Sequence, residues 1–174
     1  MQNGSKFHLV TLGCPKNEVD SEKIAGTLFA DGMESTDHPD DADLIVVNTC
    51  AFVEEAREES IETILSLAEF RNEKSKIVVT GCLAERYGGE IQDSLPEVDH
   101  VAGFGVPVSL TRKTDVPELD LLNLPRPASD KPWAYLKIAE GCDRACGYCS
   151  IPSFRGPQRS RSINAIIEEV EVLQ

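Results

Sequence analysis

The chain has 174 residues, 41% of them hydrophobic, enough to bury one core and begin a second. Its 17 Lys and Arg against 30 Asp and Glu give a net charge of −13. That argues against a general nucleic-acid binder, DNA included, because such a protein needs a cationic surface to displace counterions. The N-terminus lacks the basic-then-apolar layout of a secretory signal, and the longest apolar runs, around Cys50, fall far short of the roughly 20 residues that span a bilayer. The expectation is a cytoplasmic protein with no membrane association, whose cysteines are thiols unless metal-bound.

Phe7–Leu12 predicts a buried strand, a short apolar run stopped by Gly13. Asn17 is placed to cap the helix that follows, with Val19, Ile24, Leu28 and Phe29 as its apolar face and Gly32 as its stop. Leu44–Thr49 is the next buried strand. Val53, Ala56, Ser60, Ile61, Ile64, Leu65 and Ala68 then recur at three- and four-residue steps. Glu54, Glu55, Glu58, Glu59 and Glu62 largely take the other faces, which predicts a long amphipathic helix with a solvated acidic side. Ile77–Thr80 is a third strand and Val98–Ala102 a short fourth. Strand and helix alternating at this spacing predict parallel strands joined by right-handed crossovers, an open α/β sheet. The prolines at 117, 125, 127 and 132 predict a linker over residues 115–132, separating an α/β domain of residues 1–114 from residues 133–174. In that second part Trp133–Ala139 is strand-like, and Ile163–Leu173 is an amphipathic helix with Ser162 as its N-cap.

Six cysteines fall into two sets of three. Cys14, Cys50 and Cys82 each follow a predicted strand directly, as TLGC, NTC and TGC. In open α/β sheets the loops at the carboxyl ends of the strands form the binding crevice, so residues distant in sequence converge there. A small buried residue ending a strand looks the same, and cysteine often plays that part. Cys142, Cys146 and Cys149 form a C-x3-C-x2-C run after the strand-like segment. Three thiolates are one short of what tetrahedral zinc or a fully ligated cubane takes, and they leave one metal position open to react. Structural zinc, three disulfides and inert buried thiols are the alternatives. His8, His38 and His100 lie far in sequence from the second set, and a reducing compartment opposes disulfides. Gly13 and Gly81 suit a tight backbone turn beside the first set. Lys16 and Asn17 read either as orienting groups for that site or as a surface charge and a helix cap. Arg155, Arg159 and Arg161 read either as partners of an anionic site or as a solvated face.

The run from Cys142 to Cys149 resembles that of the radical S-adenosylmethionine enzymes. The resemblance implies a [4Fe–4S] cluster on Cys142, Cys146 and Cys149 whose free iron chelates the amino and carboxylate groups of S-adenosylmethionine. One electron then cleaves the sulfonium to a 5′-deoxyadenosyl radical. Tyr148 would lie by the adenine or, alternatively, pack over the loop. The first cysteine set, TLGCPKNEVDSE at Thr11–Glu22 and IPSFRGPQRSR at Ile151–Arg161 extend the likeness. From Phe7 to Leu173 the chain resembles the methylthiotransferases, in the branch that modifies the β-carbon of an aspartate in a small-subunit ribosomal protein, with the tRNA adenosine branch as the alternative.

That family resemblance implies a second [4Fe–4S] cluster on Cys14, Cys50 and Cys82, tied to the inserted sulfur. It implies S-adenosylmethionine used twice, to methylate sulfur and to supply the radical. The partners implied are ribosomal protein S12 or the small ribosomal subunit, and an electron donor such as flavodoxin or ferredoxin. The active site of such an enzyme lies in a TIM-like barrel, of which residues 133–174 are expected to supply only the first βα unit. The chain is accordingly expected to be part of a longer enzyme and inactive alone, with residues beyond about 115 less ordered than those before. A cluster-binding module without turnover and an electron-transfer protein are the competing classes.

Overall fold

A computed structural model describes residues 4–104, 108, 120–128 and 131–174. The first part is built on β1 (Lys6–Thr11), β2 (Glu34–Ser35), β3 (Leu44–Thr49), β4 (Lys76–Gly81) and β5 (His100–Ala102). The strands lie in the order β2-β1-β3-β4-β5, and every pairing is parallel. The open α/β sheet expected from the sequence is what forms. Strand β3 is buried along its whole length. A central strand covered on both faces reads as a continuous apolar run rather than an alternating one, which is why LIVVNT carries so clear a signal.

Successive strand side chains leave opposite faces of the sheet. Ile45, Val47, Ile77 and Val79 enter one core cluster with Ile64 and Leu67 of α2 (Glu54–Phe70) and Leu83 and Ile91 of α3 (Cys82–Ser94). Leu44, Val46 and Val78 enter the other, with Ile24 and Leu28 of α1 (Pro15–Ala30). The buried stripe of α2 runs through Ser60, Ile64 and Leu67, while Ile61 and Leu65 of the expected face stay partly exposed.

Helix α3 is an element the sequence pattern does not predict. It contains Gly88 and Gly89 and a non-helical kink at Tyr87. Adjacent glycines disfavour a helix, and here the packing of Leu83, Ala84 and Ile91 on the sheet overrides propensity. Helix α1 also departs from expectation: its N-cap position is Cys14, and Asn17 lies buried inside the first turn rather than capping it.

The second part differs more. Trp133–Ala139 is not a strand. Only Ala139–Glu140 (β6) is, and it pairs antiparallel with β7 (Arg159–Ser160). A strand needs a partner ladder, and without one Trp133, Tyr135 and Ile138 stand exposed. Between β6 and β7 lie the cysteine loop and α4 (Ile151–Arg155); α5 (Ile163–Leu173) follows as expected, with Ser162 Oγ accepting from the Ala165 N–H at 3.2 Å. Ile163, Ile167 and Val172 leave an uncovered apolar face on α5. Of the proline-rich linker, Asp120–Asn123 forms a 3-10 turn, and Leu122 and Arg126 are buried. Its described part is therefore packed against the fold rather than a free tether; residues 115–119 and 129–130 lie outside the described residues. Among the described residues no helix is long and apolar enough to cross a membrane.

Candidate metal centres

The strand order places a reversal of winding between β1 and β3, and open α/β sheets bind their ligands at the carboxyl ends of the strands at such a switch point. Cys14 and Cys50 follow those two strands, and Cys82 follows β4 on the other side of β3. Thr49 is in register with Gly81, so Cys50 and Cys82 leave neighbouring strands at the same level. Cys14 sits at the N-cap of α1, and Cys82 is the first residue of α3. Both stand where the helix dipole favours negative charge, such as a thiolate.

Two glycines let these ends approach. Gly13 has φ +92°, and a Cβ there would lie 2.7 Å from Cys50 Cβ and 2.8 Å from its Sγ. Gly81 also has φ +92°, and a Cβ would lie 2.5 Å from the Thr49 carbonyl oxygen. Any side chain at either position would be strained in its backbone and would push the strand ends apart. Ser60 fixes the third loop: its Oγ accepts from Cys50 N–H at 3.2 Å and donates within α2 to the Ala56 carbonyl. Cys50 and Cys82 are buried, whereas Cys14 is exposed beside an open cleft of about 500 Å³ lined by Thr11, Gly13, Pro15, Glu18 and Lys131.

Among the described residues, no three His, Cys, Asp or Glu side chains gather closely enough to hold a metal ion. A tetrahedral zinc site would require that, with thiolates about 2.3 Å from one point. A cubane spreads its thiolate ligands over separate irons and takes them farther apart. The three cysteines stand at three adjacent strand ends, open on the Cys14 side.

Cys142, Cys146 and Cys149 line one loop between β6 and α4. Cys142 N–H donates to the Gly156 carbonyl at 3.0 Å, Cys149 N–H to the Cys146 carbonyl at 3.1 Å, and Cys142 Sγ accepts from Arg144 N–H at 3.5 Å. Beside them a cavity of about 450 Å³ is lined by Cys142, Cys149, Pro152, Ser153 and Pro157. Tyr148 is 95% exposed, so the alternative in which its ring packs over this loop is wrong here.

A buried charge network joins the two loops, built from residues far apart in the chain. Arg155, at the end of α4, is 3% exposed. Its Nη1 donates to Asp20 Oδ2 at 2.8 Å and Glu140 Oε2 at 3.0 Å; its Nη2 donates to Asn17 Oδ1 at 2.6 Å and Cys82 Sγ at 3.3 Å. The guanidinium also lies 4.3 Å from the ring centroid of Phe104. Lys137 pairs with Asp20 and Glu140, and half-exposed Lys16 reaches Glu140 Oε1 at 3.0 Å. Asn17 Nδ2 donates to the Leu12 and Thr49 carbonyls at 2.8 and 3.0 Å, tying the ends of β1 and β3 together. Asn17 thus ties strand ends rather than capping α1, Lys16 is ion-paired to Glu140, and Arg155 and Arg161 are buried rather than solvated.

Burial opposes the ionised forms of Cys82, Glu140 and Arg155. It pushes the Cys82 thiol up, against the Arg155 charge and hydrogen bond that pull it down. Burial also works to raise Glu140, yet Arg155 and Lys137 more than offset it and hold the carboxyl down at about 2. Arg155 is likewise penalised by burial, but Asp20, Cys82 and Glu140 raise its pKa overall, so it stays charged. The result is a fixed cation against the Cys82 sulfur, in a medium where charge interactions are strong.

Fold and site together define a class: an open parallel α/β domain with a cysteine site at its switch point, ion-paired to a second cysteine loop. Within it, the chain belongs to the uncharacterized protein family UPF0004, whose profile matches residues 6–103. It is 44% identical to the ribosomal protein uS12 methylthiotransferase RimO of Sulfurihydrogenibium sp., over 97% of this chain and 39% of that protein. It is 44% identical to the protein of that name from Solibacter usitatus (94% and 38%) and 45% identical to that of Campylobacter fetus subsp. fetus (96% and 40%). The chain spans about two-fifths of the length of the curated relatives it matches.

Proposed function

We propose that this chain carries the two cluster-binding cysteine sets of a radical S-adenosylmethionine methylthiotransferase that acts on an aspartate of ribosomal protein S12. The observation that carries the reading is the likeness to the uS12 methylthiotransferases along nearly the whole chain. The two cysteine loops support it. Cys14, Cys50 and Cys82 would hold one [4Fe–4S] cluster, and Cys142, Cys146 and Cys149 the other, with the cavity beside Cys142 and Cys149 as the place for S-adenosylmethionine and exposed Tyr148 free to meet its adenine. Bound there, the cluster and cosubstrate would supply the radical needed for an unactivated C–H bond, which no acid or base in the chain can ionise.

The chain's own residues hold and shield. Gly13 and Gly81 admit the strand ends, Ser60 and Asn17 fix the loops, and Arg155 and Lys137 balance anionic charge. The open cleft at Cys14 leaves the first site reachable by a second reactant. In this reading residues 1–114 form the sulfur-carrying α/β domain and residues 133–174 begin the radical domain. The enzyme works in the cytoplasm and draws electrons from a flavodoxin or ferredoxin.

Mass spectrometry of ribosomal proteins from a strain lacking the gene tests the substrate. The expected result is loss of one methylthio group on S12 with tRNA modifications intact. Unchanged S12 and a missing tRNA methylthio group would contradict it.

A further inference from the structure

The Arg155 guanidinium belongs by sequence to the second cysteine loop, six residues after Cys149, yet it ends on the first site. It contacts Cys82 Sγ at 3.3 Å and Asn17 Oδ1 at 2.6 Å, and Asn17 in turn holds the ends of β1 and β3. Phe154, its neighbour on α4, is 4% exposed within the core cluster that contains Cys50's neighbour Ala51 and Cys82 itself. Helix α4 is therefore seated in the first domain, which holds the Arg155 backbone beside the first site. Asp20 and Glu140 accept from its Nη1.

We propose that Arg155 is a positioning residue shared by the two cysteine sites, donating to the Cys82 sulfur so that a cluster on Cys14, Cys50 and Cys82 is held at a raised reduction potential by the loop of the other site. This rests on the reading of those cysteines as cluster ligands. A hydrogen bond and a nearby positive charge on a ligating sulfur both stabilise the reduced, more negative cluster, and such contacts are among the terms that set cluster potentials. The contact also makes the electronics of the first site depend on docking of the second. A guanidinium serving only as a staple between the two halves would cost stability when removed and leave the potential where it was.

The experiment uses protein in which Cys142, Cys146 and Cys149 are all replaced by alanine, so that only the first site holds iron, with the midpoint potential read by dye-mediated titration and electron paramagnetic resonance. In that background Arg155→Gln should shift the potential downward, and Arg155→Lys should recover part of the shift. Asp20→Asn, which removes a negative charge facing Arg155 without touching a cysteine, should shift it upward. Iron retained with an unmoved potential in Arg155→Gln overturns the proposal. If Arg155→Gln loses its iron, Asp20→Asn decides: an upward shift supports the proposal and an unchanged potential overturns it. Absence of iron from the parent background refutes the cluster reading itself, and the proposal with it.

Discussion

Gly13 and Gly81 make the sharpest demands on single residues. Each combines positive φ with space that a Cβ would take from a neighbouring strand end. Gly13→Ala should destabilise the protein by about 1–3 kcal/mol, through strain at φ > 0 and the push on Cys50. Urea unfolding measures the cost, and iron retained after reconstitution reports whether the Cys14 and Cys50 loops still meet. Single residues are also where the sequence was least readable. The cysteines announce themselves by spacing, and Gly13 and Gly81 by standing beside them. Arg155 does not, because its partners Asp20 and Asn17 lie 135 and 138 positions away and only the tertiary fold brings them within reach. Its one signal was a positive charge close after the cysteine run in a strongly acidic chain. Asn17 misled for a related reason: its short amide suits a cap, and the buried carbonyls of Leu12 and Thr49 outbid the helix for it.

Elements were legible in proportion to how locally their signal is written. Strands β1, β3 and β4 are short apolar runs ended by polar or glycine residues, and α5 shows both its cap and its period. Helix α3 hides behind two glycines, and β2 is two exposed residues long. The segment Trp133–Ala139 has a strand's composition but only β7 to pair with, so the ladder stops after two residues. Strand propensity cannot supply a partner. Ser162 offers a clean test of one element: Ser162→Ala removes the acceptor of the Ala165 N–H and should cost about 1 kcal/mol. Hydrogen exchange should show faster amides in α5 with those of β3 unchanged, since α5 lies outside the sheet core.

At the scale of the molecule, the two parts are joined by ion pairs as well as by Phe154 seated in the first core. Glu169 on α5 collects Arg126, Arg161 and Lys23, and Arg126 also meets Glu22 on α1. Burial pushes the Glu169 carboxyl up, but the Arg126 hydrogen bond and the charges of Lys23 and Arg161 outweigh it and hold it below its ordinary 4.5. The unfolded chain therefore binds the proton first on acidification. The stability Glu169 contributes is complete above about 4.5 and is lost as pH falls through its lower folded value. Lys23 has the same slope in a different pH window. Burial lowers it from 10.5 to about 8, so stability rises as pH climbs through that interval, where the unfolded lysine keeps its proton. The single tryptophan, Trp133, sits in the second part and reports undocking by fluorescence. Glu169→Gln should flatten the acid limb of the stability curve and Lys23→Met the alkaline limb. Glu169→Ala should cost about 3–5 kcal/mol, because it leaves buried cations without their carboxylate.

Everything functional rests on the three-and-three division of the cysteines between two sites, and iron counting tests it most directly. Anaerobic reconstitution of the protein should yield about eight irons per chain, two cubes' worth. Replacing Cys14, Cys50 and Cys82 together by alanine should remove about half and leave the spectrum of one cubane, and replacing Cys142, Cys146 and Cys149 should remove the other half. Full iron content in either triple variant, or a parent protein that takes up a single zinc in place of iron, would contradict it.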